Sequence, residues 1–321
     1  PHLLPVRNSK AGRLLASARE RPAMPPRKKK APVVTFGSEH EWHSGGDALV
    51  RKLYTAGLLP SSQFHSYHCQ CDTCTIGSTY KLKAQRDSSC SGEIITQPFH
   101  SIEAALPIYS LLESAAVDID AIPGHSAGLH VHVSRPGVTC PPWDPAIQDT
   151  EYWMTLGALF GWLLNHEHWI VQRLASGVFL HNRGFNVDLA PVIREVLSQH
   201  SDTVPSTALR LPSMVNRIRL AITDEAGHHA QISTSTSSGV TWEFRFWNST
   251  RSAWRMELAA RMSILLTNKE FLTTTTDTVT ENDMLAGIEL FDPTAAELAA
   301  RQLDYTRNPC AESVAAFRWL R

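Results

Sequence analysis

Apolar residues recur at helical spacing over several long stretches of the chain. Asp47 to Ala56 reads as a helix ended by Gly57 and Pro60, with Leu49, Val50 and Leu53 on its buried side. Ser101 to Val117 sets Ile102, Ala105, Leu106, Tyr109 and Leu112 on one side and Glu103, Ser110 and Glu113 on the other. Pro107 falls inside that pattern and predicts either a kink or a helix start at that point. The strongest pattern, Glu151 to Ala175, is apolar over much of its circumference and predicts a centrally packed helix. Arg251 to Thr267 gives a further helix, and the tail from Thr280 to Arg321 carries helical patterns separated by Asp292-Pro293 and Asn308-Pro309.

Shorter runs have strand character: Val33 to Trp42, Tyr80 to Ala84, Gly92 to Thr96 before Pro98, and Leu129 to Ser134. Residues 212–222 and 240–247 predict a pair of strands around a Ser/Thr-rich, Gly-containing connection. Strands interspersed with helices, without regular alternation, predict an α+β fold with a mainly antiparallel sheet.

Three of these strands place ionisable residues at i and i+2: Glu39-His40-Glu41, His130-Val131-His132 and Glu243-Phe244-Arg245. In a strand that spacing turns both side chains to one face. A face of carboxylates, imidazoles and a guanidinium is costly to bury unless its charges are paired or hold metal ions, so it predicts a wet, concave, ligand-lined surface backed by helices. Glu39, Glu41, Glu93 and Glu243 are hard oxygen donors suited to Mg²⁺ or Mn²⁺, and the His pair extends the choice toward Mn²⁺ or Zn²⁺. Arg245 offers a fork for phosphate or carboxylate. Taken singly, each motif also fits an ordinary solvated sheet face or ion pair.

Charge changes the picture at the N-terminus. Of 321 residues, the first 31 hold nine Lys/Arg and one Asp/Glu, which leaves 21 of the 30 basic and 30 of the 31 acidic residues for the rest. The body is mildly acidic, which argues against a nucleic-acid groove there; the basic leader reads as a flexible solvated segment or as a nucleic-acid or localisation tail. The first Met is Met24, so residues before it are expected to be upstream translation or a fragment's edge. The expected organisation is a leader at 1–31, a catalytic domain at 32–275 with a Cys-rich insertion at about 61–91, and a helical extension at 276–321. The most apolar run, Tyr152 to Leu164, is too short to span a membrane, and a cytoplasmic setting is expected.

Three of the six cysteines crowd into Cys69-Gln70-Cys71-Asp72-Thr73-Cys74 after His68, too tightly for ordinary disulfides among themselves. With Cys90 they form a candidate structural Zn²⁺ site, or else a group of loop cysteines. His166 and His168, two apart on a predicted helix, face different directions and read as core or surface residues.

The order of these segments resembles the amidoligase family of the glutamine-synthetase-like superfamily, relatives of γ-glutamylcysteine ligase. The resemblance rests on Phe36-Gly37-Ser38-Glu39-His40-Glu41, then Asp87-Ser88 with Gly92-Glu93-Ile94-Ile95-Thr96-Gln97-Pro98, then Gly128-Leu129-His130-Val131-His132-Val133. Asn182-Arg183, Asn216 and Trp242-Glu243-Phe244-Arg245-Phe246-Trp247-Asn248-Ser249-Thr250 complete it, over about Phe36 to Leu266. It implies a glutamine-synthetase-like catalytic core and an ATP-dependent ligase joining a small-molecule or peptide carboxylate to an amine through an acyl phosphate, in a bacterial or phage setting. By carry-over, Glu39, Glu41, Glu93 and Glu243 would hold Mg²⁺ or Mn²⁺, and His130 and His132 would bind metal or nucleotide phosphate. Arg245 and Arg183 would contact phosphates, and Asn216 would position substrate. The link from Asp87 to the Glu93 strand is more compact than the family's, so Glu93 carries more weight than Asp87. Two rivals stand beside the ligase: a metal-dependent hydrolase or oxygenase using His130 and His132, and a non-catalytic zinc-containing protein that binds nucleic acid or a partner.

Overall fold

The computed structural model describes residues 33–67, 69, 71–72, 79–87, 90–123, 127–136, 138, 151–175, 188–199, 205–226, 230–233 and 241–307. In chain order these form β1 (Thr35–Trp42), α1 (Gly46–Thr55), β2 (Leu82–Gln85), β3 (Gly92–Thr96), α2 (Ile102–Asp118) and β4 (Gly128–Ser134). Next come α3 (Glu151–His168), which runs on into a π-helical segment (Trp169–Ala175), α4 (Leu189–Ser198), α5 (Pro205–Ala208) and α6 (Pro212–Ala226). Then follow β5 (Ile232–Ser233), β6 (Trp242–Asn248), α7 (Ala253–Leu265), α8 (Lys269–Thr275), α9 (Glu281–Glu289) and α10 (Pro293–Arg307).

The fold is α+β. Its six strands form one sheet in the order β2-β3-β1-β4-β6-β5, every neighbouring pair antiparallel. Alternation along the strands divides the sheet into two unlike faces. Phe36, His40 and Trp42 of β1, Ile94 of β3, Leu129, Val131 and Val133 of β4, and Trp242 and Phe244 of β6 are buried and share one face. Full burial of side chains such as Val131 and Phe244 stabilises by about 1.5–3 kcal/mol each, so this face anchors the sheet to its helices. Helix α7 packs on β1 and β4, with the Trp247 indole N–H donating to Ser263 Oγ at 3.0 Å, and α2 packs on α7.

The region 212–226 is the helix α6, where the sequence pattern predicts a strand. Ile218, Leu220 and Ile222 alternate with Arg217, Arg219 and Ala221, which imitates a half-buried strand. The buried set is instead Met214, Val215, Ile218 and Ile222, one helical face, while Leu220 is 45% exposed. Pro212 at the first helical position suits that start. The partners of β6 are therefore β4 and the two-residue β5. Helix α2 starts at Ile102, where Ser101 Oγ accepts from the Ala104 N–H at 3.3 Å, and continues through Pro107. Helices α4 and α8 carry no clear signal in the sequence pattern. Residues 1–31 lie outside the described residues. Helices α9 and α10 pack on each other, and α10 also packs on α7 and the π-helical segment. No helix among the described residues is long and apolar enough to cross a membrane.

Candidate functional site

The polar face is set by register. Glu41 stands opposite Glu93, Glu39 opposite His130, His132 opposite Glu243, and Gln85 opposite Glu93. Directly opposed residues in an antiparallel sheet point the same way, so five strands deliver these side chains to one surface. The β4–β6 pairing is interrupted between Leu129/Trp247 and Val131/Phe244, where His130 alone faces the two residues Arg245 and Phe246. This is a β-bulge. It lets Phe244, Phe246 and Trp247 all be buried while Arg245 stays beside Glu243, its guanidinium donating to the Glu243 carboxylate.

The face holds two donor groups of different electrical character. In the first, one carboxylate oxygen from each of Glu41, Asp87 and Glu93 lies within 4.8 Å of the others. Burial, followed by the charge of Glu39, pushes the Glu93 carboxyl up to about 8, although Gln85 donates a hydrogen bond to it. Burial also raises Glu41, against the opposing charge of His130 and a 2.6 Å hydrogen bond from the Gly128 N–H, with Asp87 adding to the rise. Three clustered carboxylates can all ionise there only if a cation shares the space. An all-oxygen donor set of this kind fits Mg²⁺ or Mn²⁺.

In the second group, Glu39, His130 and Glu243 each offer an atom within 4.8 Å of the others. His130 Nδ1 lies 3.2 Å from Glu39 and 3.6 Å from Glu243, and its Nε2 lies 3.6 Å from Glu41, so the imidazole joins the two groups. His132 Nε2 sits 3.2 Å from Glu39 and 3.9 Å from Glu243. Burial works against the charged His132 ring, but Glu39 and then Glu243 outweigh it and raise it to about 9. Burial likewise works to raise Glu39, yet the His132 charge and hydrogen bonding to His130 hold it well below the ordinary carboxylate range. Two carboxylates thus face an imidazolium and a guanidinium. The second group is matched by an imidazolium and a guanidinium, whereas the first gathers three carboxylates with His130 at its margin.

Gly128 makes the junction possible. A Cβ at that position would lie 2.8 Å from His130 Nε2 and 3.4 Å from Glu41 Oε2, so a side chain would displace both.

No family model matches the chain, and no curated protein matches its sequence. Solved structures give distant likenesses. One is a bifunctional glutathione synthetase from Pasteurella multocida, at 12% identity and a TM-score of 0.39, covering 87% of this chain and 47% of that one. Another is described as a novel glutamine synthase homolog, at 14% identity and a TM-score of 0.37, covering 88% of this chain and 67% of that one. The chain spans about half the length of the Pasteurella protein.

Glu39, Glu41, Glu93, His130, His132, Glu243 and Arg245 therefore occupy one face of the sheet. Asp87, which carries less weight than Glu93 on sequence grounds, joins the first group from the connection between β2 and β3. Gln85 and Gly128 are further contributors that sequence reasoning missed. Asn216 is on α6, which packs on α3 and α4, and its Oδ1 accepts from Arg219 Nε and a terminal nitrogen at 3.2 and 3.0 Å. Arg183 lies outside the described residues.

Of the expected thiol set, His68 and Cys74 also lie outside them. Cys69 and Cys71 gather around His65, a residue the sequence reading passed over. Cys90 is not in that group; burial, then Glu41, pushes its thiol up to about 12. His166 is buried and its Nε2 lies 2.9 Å from the Thr276 carbonyl, while His168 is exposed.

Proposed function

We propose that the chain is an ATP-dependent carboxylate–amine ligase whose polar sheet face binds divalent cations and nucleotide phosphate. The observation that carries this reading is the pairing of a three-carboxylate group, Glu41–Asp87–Glu93, with the adjacent Glu39–His130–Glu243 group and Arg245. Divalent cations bound there would neutralise the negative charge that gathers when a carboxylate, a nucleotide and a transferring phosphoryl group meet.

In the first half-reaction a substrate carboxylate oxygen bonds to the γ-phosphorus and the bond to the β,γ-bridging oxygen breaks, giving an acyl phosphate and ADP. In the second, the amine nitrogen bonds to the acyl carbon, phosphate leaves with the former acyl oxygen, and the nitrogen gives up a proton to form the amide. Arg245 is the phosphate fork among the described residues of this face. Glu41, Asp87 and Glu93 would hold the tighter cation, because three carboxylates meet there and burial raises both Glu41 and Glu93. Glu39, His130 and Glu243 form the second position, where a cation competes with His132 and Arg245. Arg183 as a second phosphate contact and Asn216 as a substrate-positioning residue enter on the resemblance alone.

A cupin-type oxygenase needs two facing sheets, and the described strands all lie in one.

The test is phosphate release by the purified chain with ATP, Mg²⁺ and panels of carboxylates and amines. The expected result is metal-dependent release that falls about 100-fold or more in Glu41→Gln. Tight DNA binding abolished by removing residues 1–31, with no nucleotide turnover, would overturn the ligase reading.

A further inference from the structure

We propose a Zn²⁺ site formed by His65, Cys69 and Cys71 that fastens the segment after α1 to the outer edge of β2. None of these residues belongs to the polar face, and the site is independent of the ligase reading. His65 Nδ1 lies 3.6 Å from Cys69 Sγ and 3.5 Å from Cys71 Sγ, and all three donor atoms lie within 4.8 Å of one another. Tetrahedral zinc, with Zn–N of about 2.0 Å and Zn–S of about 2.3 Å, sets its nitrogen and sulfur ligands about 3.6 Å apart. A single imidazole nitrogen has one lone pair and cannot accept well from two thiols at once. One metal bound by all three atoms accounts for both contacts.

The backbone shows what the site would hold in place. Strand β2 is the first strand of the sheet order, and His65 bridges to Gln85 along its open edge. The His65 N–H donates to the Ala84 carbonyl and the Arg86 N–H donates to the His65 carbonyl, both at 2.9 Å. The Cys69 N–H donates to the Ser66 carbonyl at 3.1 Å, a turn that brings Cys69 back toward His65. Zinc there would hold this short pairing in place on the edge of the sheet. It would also brace the short run from Gln85 to Asp87, which supplies two groups to the polar face. Soft thiolates with an imidazole select Zn²⁺ over Mg²⁺, and binding releases the two thiol protons.

The test uses the full chain, purified in Mg²⁺ without chelator, with elemental analysis for zinc and near-ultraviolet absorption after Co²⁺ exchange. The expected result is about one tightly held zinc per chain and a thiolate-to-cobalt charge-transfer band. Both should be lost in the Cys69→Ser/Cys71→Ser variant and kept in Glu41→Gln. Zinc content unchanged in the double-serine variant, or a cobalt form without the thiolate band, would overturn the proposal. Should that variant not fold, alkylation of the native wild type decides: Cys69 and Cys71 should react only after chelator is added. Equal reaction with and without chelator, or a Cys69–Cys71 disulfide in the isolated chain, would contradict the site.

Discussion

Glu41 and Glu93 face each other across β1 and β3, where cross-strand pairing favours opposite charges. The pair costs stability wherever both carboxyls ionise, and under the proposed function a cation held between them would offset that cost. Replacing Glu93 by Gln is expected to raise the thermal midpoint by a few degrees in the presence of chelator above about pH 8, where Glu93 ionises beside Glu41, roughly the worth of one like-charge pair. The same change should weaken Mn²⁺ binding; a variant both less stable and unchanged in Mn²⁺ affinity would contradict the assignment.

His40, on the opposite face, gives a pH prediction. Its ring is hydrogen-bonded to Ser38 Oγ at 2.8 Å, and burial lowers its pKa to about 3 from an ordinary 6.5. Between those values the unfolded chain binds the extra proton, so the stability that His40 contributes is present above pH 6.5 and is lost as pH falls toward 3. The slope approaches about 1.4 kcal/mol per pH unit at most. Chemical denaturation of wild type and His40→Gln across this window should show the slope reduced in the variant, and equal slopes would count against it. At this scale the strand residues were legible because a period of two fixes which side chains share a face. Asp87 and His65 were not, since they lie outside the regular strands, where no period says which group turns back toward the sheet.

Elements were legible where one period dominated. Strands β1, β3 and β4 follow from alternation, and α1, α2, α3 and α7 from helical spacing. Helix α6 was misread because an apolar residue at every second position imitated a strand, and only the exposure of Leu220 resolves the ambiguity. The bulge in β6 had no signal of its own, for it depends on the register with β4. Close packing gives a test of α3. Although alanine favours helix over glycine, a Cβ at Gly157 would lie 2.2 Å from the Leu209 carbonyl oxygen. Gly157→Ala should cost about 1–3 kcal/mol, the usual range for overpacking, measurable as a lowered midpoint in denaturant; a gain in stability would contradict the packing of α3 against the segment after α5. Helix α4 depends on a distant cap, in which the Glu167 carboxylate accepts from the Leu189 and Ala190 N–H groups at 2.6 and 2.9 Å. Removing it in Glu167→Ala should cost about 1 kcal/mol, read as faster amide exchange at the start of α4; unchanged exchange there would argue against the cap.

Across the whole molecule, an antiparallel sheet turns a buried apolar face toward α2 and α7 and collects its acids, imidazoles and one guanidinium on the other. The class of fold and the polar face could be read from the chain because both follow from strand parity. The division of that face into an acidic half and a compensated half could not, because it depends on which strands are neighbours. That division makes the proposed function specific: Glu41, Asp87 and Glu93 would take the tighter cation, with nucleotide phosphate beside it. The most direct measurement is electron paramagnetic resonance titration of Mn²⁺ into the chelator-stripped, Mg²⁺-free chain with a non-hydrolysable ATP analogue, followed by phosphorus resonances of the bound analogue. Wild type should hold Mn²⁺ close enough to broaden those resonances, with the tighter binding lost in Glu41→Gln and kept in Glu243→Gln. Mn²⁺ binding indifferent to both substitutions, or nucleotide signals untouched by bound Mn²⁺, would contradict the account.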